Sequence, residues 1–210
     1  MKRIFDFLAS FVGLIIFSPL LLFVMFLVWI NDFGNPFYTA MRVGKDEKTF
    51  KMFKLRSMIV NADKTGVDST SNNDMRITRI GKFIRKFKMD ELSQLINVLL
   101  GDMSLVGPRP NVQREIDLYT KSEKKLLLVR PGITDISSIV FSDEGEILSN
   151  SKDPDIDYNQ LIRPGKGYLG IFYIENQSFL LDIKLIFIAL ITIFNRNLAL
   201  KNVSKVLKKY

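Results

Sequence analysis

The chain has 210 residues and contains neither Cys nor His, which removes disulfides, thiolate nucleophiles, histidine triads and histidine metal sites together. Lys and Arg number 30 against 22 Asp and Glu, a net charge of +8, so an anionic partner is expected: nucleic acid, an anionic membrane face or a phosphorylated substrate. A mean hydropathy of +0.13 with 25% charged residues points to a membrane-associated protein rather than a soluble nucleic-acid binder, and the length suits one domain.

In chain order, residues 7–30 carry no charge, and a bilayer needs about 20 such residues. The run is too long for a signal peptide and lacks a small-residue cleavage site. A plain spanning helix is one reading. Against it, Pro19 follows Ser18 in mid-run and removes a backbone donor, which favours a kink. Basic residues also flank both ends (Lys2 and Arg3 before; Arg42, Lys45, Lys48 and Lys51 after), so their distribution orients no single span. The other reading is a helical hairpin, broken at Ser18 and Pro19, that enters and leaves through one leaflet.

Residues 36–58 read as a β-hairpin: a strand over 37–43, a turn at Gly44-Lys45-Asp46 and a return from Thr49 to Met58. Lys54 and Arg56 are its first candidates to reach a phosphate. Residues 61–75 are polar and rich in turn formers, hence a surface loop or a lid. Residues 76–88 alternate basic and apolar residues, as in an amphipathic helix resting on anionic headgroups.

The next stretch, 88–110, carries the chemistry. Asp90 and Glu91 precede an apolar stripe at Leu92, Leu95, Ile96 and Leu99, the spacing of a helix with one buried face. Gly101 suits a helix stop, and Arg109 is held between Pro108 and Pro110. A helix N-terminus favours anions, and an aspartate there can attack phosphorus while its neighbour holds a divalent cation. Asp90 as a simple N-cap is the alternative. Beyond it, 112–128 reads as helix, 141–160 as an acidic loop and 165–174 as a strand. Leu185–Phe194 is too short to span and suits the core or the bilayer surface, and the basic tail, 201–209, reads as a frayed end. Three Arg-Pro dipeptides, at Arg109, Arg130 and Arg163, place arginines on stiffened backbone, where the guanidinium fork suits phosphate oxygens.

These residues resemble the bacterial sugar transferases, the monotopic phosphoglycosyl transferases. The resemblance rests on Lys2-Arg3-Ile4-Phe5-Asp6 with Ser18-Pro19, Arg42-Val43-Gly44, Phe53-Lys54-Leu55-Arg56-Ser57-Met58 and Arg76-Ile77-Thr78-Arg79-Ile80-Gly81. It continues through Asp90-Glu91-Leu92, the run from Gly101 to Pro110, and Arg130-Pro131-Gly132-Ile133-Thr134, so it covers nearly the whole chain. It implies a mixed, helix-rich α/β fold in a single compact domain, with a re-entrant membrane helix over 1–32 and a catalytic domain over 33–210. Amphipathic helices would lie at the interface, on the cytoplasmic face of the bacterial inner membrane.

The implied reaction moves a sugar-1-phosphate from a UDP-sugar to undecaprenyl phosphate and releases UMP, as the first step of polysaccharide or glycoconjugate assembly. Asp90 would be the nucleophile that carries the phosphosugar and Glu91 the ligand of Mg²⁺, with Arg109, Arg85 and Arg130 on phosphate groups. The expected partners are the UDP-sugar, undecaprenyl phosphate and the bilayer, without nucleic acid; a homodimer is left open. Asp135, Ile136 and Ser138 depart from the family pattern after Pro-Gly-Ile-Thr, as does Ser93 after Asp-Glu-Leu, which bears on sugar recognition. The competing reading is a non-catalytic membrane-surface adaptor whose arginines bind headgroups.

Overall fold

The computed structural model describes residues 1–62, 70–71 and 74–209. The apolar N-terminal run forms one helix of 31 residues, α1 (Lys2–Asp32), about 46 Å long at 1.5 Å per residue. Its inward face buries Asp6, Ser10, Leu21, Val24 and Val28, while Phe7, Phe11, Ile15, Leu22, Phe26 and Ile30 lie on the exposed side. It is long and apolar enough to cross a membrane, and an outward face this apolar calls for a non-aqueous neighbour.

Helical structure continues through Ser18 and Pro19, which corrects the expectation of two helices separated by a break. Pro19 cannot donate to the Ile15 carbonyl, but the Ser18 hydroxyl does so instead at 2.9 Å. The freed carbonyl therefore keeps a partner in apolar surroundings. Residues 15–20 are all exposed, whereas the turns on either side bury residues against the body.

Both ends of α1 are bonded to that body. Lys2 pairs with Asp182 at 2.6 Å, and Asp6 accepts a hydrogen bond from the Ser104 hydroxyl at 2.8 Å. At the other end the Arg56 guanidinium donates twice to Asp32, at 2.7 and 2.5 Å.

The hairpin forms as expected. β1 (Phe37–Val43) and β2 (Thr49–Leu55) pair antiparallel, with Phe37 opposite Leu55 and Val43 opposite Thr49. Of the expected loop or lid over 61–75, residues 63–69 and 72–73 lie outside the described residues. The basic amphipathic helix is α2 (Arg79–Lys86), capped by Thr78, whose hydroxyl accepts the Gly81 N–H at 2.9 Å. A Cβ on Gly81 would stand 1.8 Å from the Ser57 carbonyl oxygen, so only glycine lets α2 lie on the chain leaving β2. Ile84 then joins Leu21, Val24, Val28 and Leu55 in one apolar cluster that seats α1.

A 3₁₀ turn, Met89–Gln94, leads into α3 (Leu95–Leu100), which stops at Gly101 with φ 97°. β3 (Ser104–Val106) and β4 (Gly132–Thr134) form a parallel pair that the periodicity does not signal. Between them, 112–128 is not one helix but α4 (Gln113–Ile116) and a separate 3₁₀ turn, Glu123–Leu128. The Glu123 carboxylate accepts from both the backbone and the hydroxyl of Thr120 at 2.8 Å, which starts the second piece afresh.

After α5 (Ile136–Val140), the expected acidic loop contains α6 (Glu144–Ile147), α7 (Pro154–Asp157) and a π turn, Tyr158–Ile162. The expected strand at 165–174 is helix α8 (Arg163–Glu175), with Pro164 in its first turn, where a missing N–H costs nothing. Its glycines serve packing: Cβ atoms on Gly165 and Gly170 would lie 2.6 Å from Phe141 and 2.7 Å from Leu126. α9 (Phe179–Phe194) buries Leu181, Leu185 and Ile188 with Ile136 and Tyr173 in the largest cluster. The tail is not frayed but helical, α10 (Arg196–Leu207), and adds Ala199, Val203 and Val206 to that core. The whole is a mixed, helix-rich α/β body.

Ser18→Ala should lower stability by about 1–3 kcal/mol by orphaning the Ile15 carbonyl in an apolar setting. Ser18→Ala/Pro19→Ala should recover most of that loss, because an alanine in place of the proline supplies the missing N–H. Thermal unfolding of the two variants in lipid nanodiscs checks this; equal loss in both would show that the hydroxyl does not fill the proline's place.

Candidate active site

The site is built by stitching the 3₁₀ turn and α3 onto the edge of β2. Asn97 is fully buried and acts as a short strand: its amide nitrogen donates to the Lys51 carbonyl at 2.7 Å and its oxygen accepts the Phe53 N–H at 2.9 Å. That clamp sets Lys54, one residue on, beside the carboxylate pair. The Lys54 ammonium lies 3.8 Å from Asp90 Oδ2. Lys88, with φ 55°, makes the left-handed step that ends α2 and turns the chain into Met89–Gln94.

Asp90 is only 7% exposed, and it is not a helix cap. The residue preceding the turn is Lys88, and no side chain caps it. Glu91 meets Arg109 Nη1 at 2.9 Å. Arg109 is presented by the proline corner, which β3 and β4 hold in place: Gly132 N–H donates to the Pro108 carbonyl at 2.9 Å and Gly107 N–H to the Thr134 carbonyl at 3.0 Å. Cβ atoms on Gly107 and Gly132 would lie 2.5 and 2.1 Å from the opposing backbone, so the two Pro-containing corners approach only as glycines. No pattern of apolar periodicity could show that pairing, although both strings stood out in the sequence.

Asp90, Glu91, Lys54, Arg56, Arg85 and Arg109 all line one cleft of ≈1430 Å³. That exceeds the roughly 300–1,000 Å³ of an ordinary small-molecule pocket. Two of the candidate phosphate ligands change status. Arg130 does not line the cleft; it is exposed and donates to the Gly101 carbonyl at 2.8 Å, capping α3. Arg56 is in the cleft wall and bonded to Asp32 through both terminal nitrogens, so it anchors α1. Of the departures after Thr134, Ser138 lines the cleft and the other two are structural. Asp135 is buried and caps α5 through the Ser138 N–H, with the Ser138 hydroxyl returning the bond in a capping box, and Ile136 is core. Ser93 is buried too, its hydroxyl 3.2 Å from the Phe53 carbonyl.

The cleft also contains charged groups that composition alone did not single out. Lys88, Glu144, Lys166 and Arg196 line it. Glu144 pairs with Lys166, and the Lys166 ammonium lies 5.1 Å from the centre of the Tyr158 ring. Short polar helices after an acidic run are the only signal that would have marked Glu144 in advance.

The electrostatics are those of an anion site. Burial acts to raise the Glu91 carboxyl, but Arg109, then Lys88 and Lys54, outweigh it and hold it at about 2. Glu91 in turn holds the Arg109 proton more firmly than usual. Burial depresses Arg85, opposed mainly by Asp90. Burial, and then the Arg109 charge, push Lys54 down to about 8 against the pull of Asp90 and Glu91.

Among the described residues no three Asp, Glu, His or Cys side chains converge, so no all-protein metal cage is built. Asp90 and Glu91 are instead two adjacent hard-oxygen donors on an open cleft. That set fits Mg²⁺, which commonly takes one or two carboxylates together with substrate phosphates and water.

Because Asp90 favours the charged ammonium, Asp90→Asn should move the Lys54 titration below its midpoint of about 8. Glu91→Gln should move it the same way, since Glu91 also raises it. NMR titration of the Lys54 side-chain resonances in the folded protein checks both signs; an upward movement would contradict the geometry.

The chain matches the bacterial sugar transferase family over residues 1–196. It is 41% identical over 146 residues to a putative undecaprenyl-phosphate N-acetylgalactosaminyl 1-phosphate transferase of Bacillus subtilis, covering 64% of this chain and 82% of that protein. It is 35% identical over 202 residues to the undecaprenyl-phosphate galactose phosphotransferase of Salmonella typhimurium, covering 89% and 39%. Against the UDP-N-acetylgalactosamine-undecaprenyl-phosphate N-acetylgalactosaminephosphotransferase of Aeromonas hydrophila it is 34% identical over 195 residues, covering 91% and 43%. The chain thus spans about two-fifths of the length of several of these relatives. With the Asp-Glu pair, the proline corner and the apolar N-terminal helix in one body, this chain belongs to the bacterial sugar transferase family.

Proposed function

We propose that the protein transfers a sugar-1-phosphate from a UDP-sugar to undecaprenyl phosphate, releasing UMP, through a phosphosugar ester on Asp90. The observation that carries this reading is the convergence, in one cleft, of a buried and uncapped Asp90 with Glu91, Arg109, Lys54 and Arg85. A headgroup-binding adaptor has no use for a buried Asp90 and a half-buried Glu91 facing its arginines. Relatives named for undecaprenyl-phosphate sugar transfer support the substrate class.

In the first half-reaction an Asp90 carboxylate oxygen attacks the β-phosphorus; the bond from that phosphorus to the bridging oxygen breaks, and UMP leaves with the oxygen and its electron pair. Lys54, beside Asp90 Oδ2, and Arg85 steady the anions around the reacting carboxylate. Arg109, fixed by its two prolines, presents a planar fork to phosphate oxygens, and Glu91 holds that fork in place at 2.9 Å. In the second half-reaction a phosphate oxygen of the polyprenol phosphate attacks the same phosphorus, the Asp90 ester bond breaks, and the free carboxylate returns. Asp90 and Glu91 would hold Mg²⁺ with the pyrophosphate, and the ion when bound would neutralise charge building on the departing phosphate.

The lipid substrate requires a bilayer position. Both ends of α1 are bonded to the body, and residues 15–20 between them are exposed. A helix held at both ends by one domain cannot deliver its far end to the opposite face. This supports α1 dipping into the cytoplasmic leaflet of the inner membrane with residues 15–20 deepest, and α2 lying at the headgroups beside it.

With UDP-sugar alone, the protein should release a burst of no more than one UMP per molecule. Asp90→Asn should abolish the burst, since an amide is a poor nucleophile, while the fold survives. UMP appearing only after polyprenol phosphate is added, with no Asp90 peptide trapped, would make the transfer direct. Arg109→Lys keeps the charge and loses the fork, and should cut kcat/KM by about 100-fold; near-normal turnover of the folded variant would remove the bidentate role.

A further inference from the structure

The far wall of the cleft holds a charged pair that the transfer chemistry leaves unused. Glu144, on α6, and Lys166, on α8, form an ion pair and both line the cleft that contains Asp90 and Arg109. The Lys166 side chain is 12% exposed and the Glu144 side chain 39%, so the carboxylate is the more open of the two. Tyr158, 9% exposed, fixes the ammonium from behind with its ring, 5.1 Å away. This wall rests on its own apolar cluster of Leu148, Tyr158 and Ile162 with Phe141, whereas the α1 residues cluster with Leu55 and Ile84. It is therefore built apart from the membrane-helix side of the cleft.

The charges assign different work to the two regions. Around Asp90, the cationic groups Lys54, Arg85 and Arg109 match phosphate oxygens. Glu144 and Lys166 together are neutral and add nothing to that attraction; an open carboxylate would repel a phosphate placed against it. What a carboxylate acceptor beside an ammonium donor does match is a pair of neighbouring hydroxyls, which both donate and accept. Glu144 and Arg109 line the same cleft. A group bonded to a phosphate on Arg109 therefore shares its cleft with this wall.

We infer that Glu144 and Lys166 form a specificity site that binds a vicinal diol of the nucleotide-sugar, either of the ribose or of the transferred sugar. This rests on the transferase reading above. It makes the wall a place where this chain selects its substrate; of the Asp135–Ser138 turn, Asp135 and Ile136 are consumed in the cap and the core, while Ser138 lines the cleft.

The test is titration calorimetry on the full chain in nanodiscs, with UDP-N-acetylgalactosamine, UDP-galactose and UMP as probes. It compares wild type, Glu144→Gln, and the swapped Glu144→Lys/Lys166→Glu, which restores an ion pair but reverses the donor and acceptor. Loss of a hydrogen bond to a charged group should weaken binding about 10- to 100-fold. Weaker UDP-sugar binding in both variants with unchanged UMP affinity places the diol on the transferred sugar; weaker binding of UMP as well places it on the ribose. Unchanged affinities for every probe overturn the proposal. So does a swapped variant that regains both thermal stability and wild-type affinity, since the pair would then serve only to join α6 to α8. If wild type itself binds no UDP-sugar, the transferase reading falls and this site with it.

Discussion

The buried amide of Asn97 is the contact on which the site depends. Among the described residues, strand β2 has β1 on one edge and no strand on the other, so its free edge would expose backbone donors and acceptors. Asn97 fills that edge with one donor and one acceptor, bonded to Lys51 and Phe53. The result is a fixed distance between a strand and a helix that share no ladder. Lys54 and the carboxylate pair inherit that distance. A leucine of similar size would bury well and leave both backbone groups unsatisfied, each at a cost of about 1–3 kcal/mol.

A second layer of backbone contacts positions Arg109. The parallel pairing of β3 and β4 spans only three residues on each strand, too short to be stable alone. It persists because Gly107 and Gly132 let the two proline corners touch and because Val106 is buried in the main core beneath. The corner then needs no side-chain scaffold to aim its arginine. Glu91 completes the arrangement: its carboxylate is held ionised by the cations around it, at about 2, and it keeps the guanidinium in the cleft instead of in solvent.

The apolar helix α1 and the site are joined through ion pairs as well as apolar packing. Asp182 receives both Lys2, at 2.6 Å, and the Tyr173 hydroxyl, at 2.6 Å, so the first turn of α1 is tied into the core formed by α8 and α9. Arg56, just past Lys54 in the chain, ties the last turn. Breaking either pair would leave a partly buried charge without its partner, the costly case for such interactions. The body therefore fixes where α1 can go, and holds α1 and the cleft in one frame.

Local chemistry alone made much of this readable. The uncharged N-terminal run, the alternating hairpin with its glycine turn, the basic amphipathic helix, the Gly101 stop and the pairing of Asp90 with Glu91 each follow from neighbouring residues, and each stands where the sequence places it. Where rules compete within a few residues, the sequence misleads. The glycines of α8 read as strand or loop until Phe141 and Leu126 are seen against them. Pro19 reads as a break until the Ser18 hydroxyl is seen on the Ile15 carbonyl. Arg56, Arg109 and Arg130 look alike as basic residues offered to a phosphate. Only long-range packing decides that the first holds Asp32, the second meets Glu91 and the third caps α3, because a guanidinium goes to the nearest unpartnered oxygen and sequence does not say which oxygen that is. The same holds for Glu144 and Lys166, 22 residues apart, which share a wall only because α6 folds back onto α8.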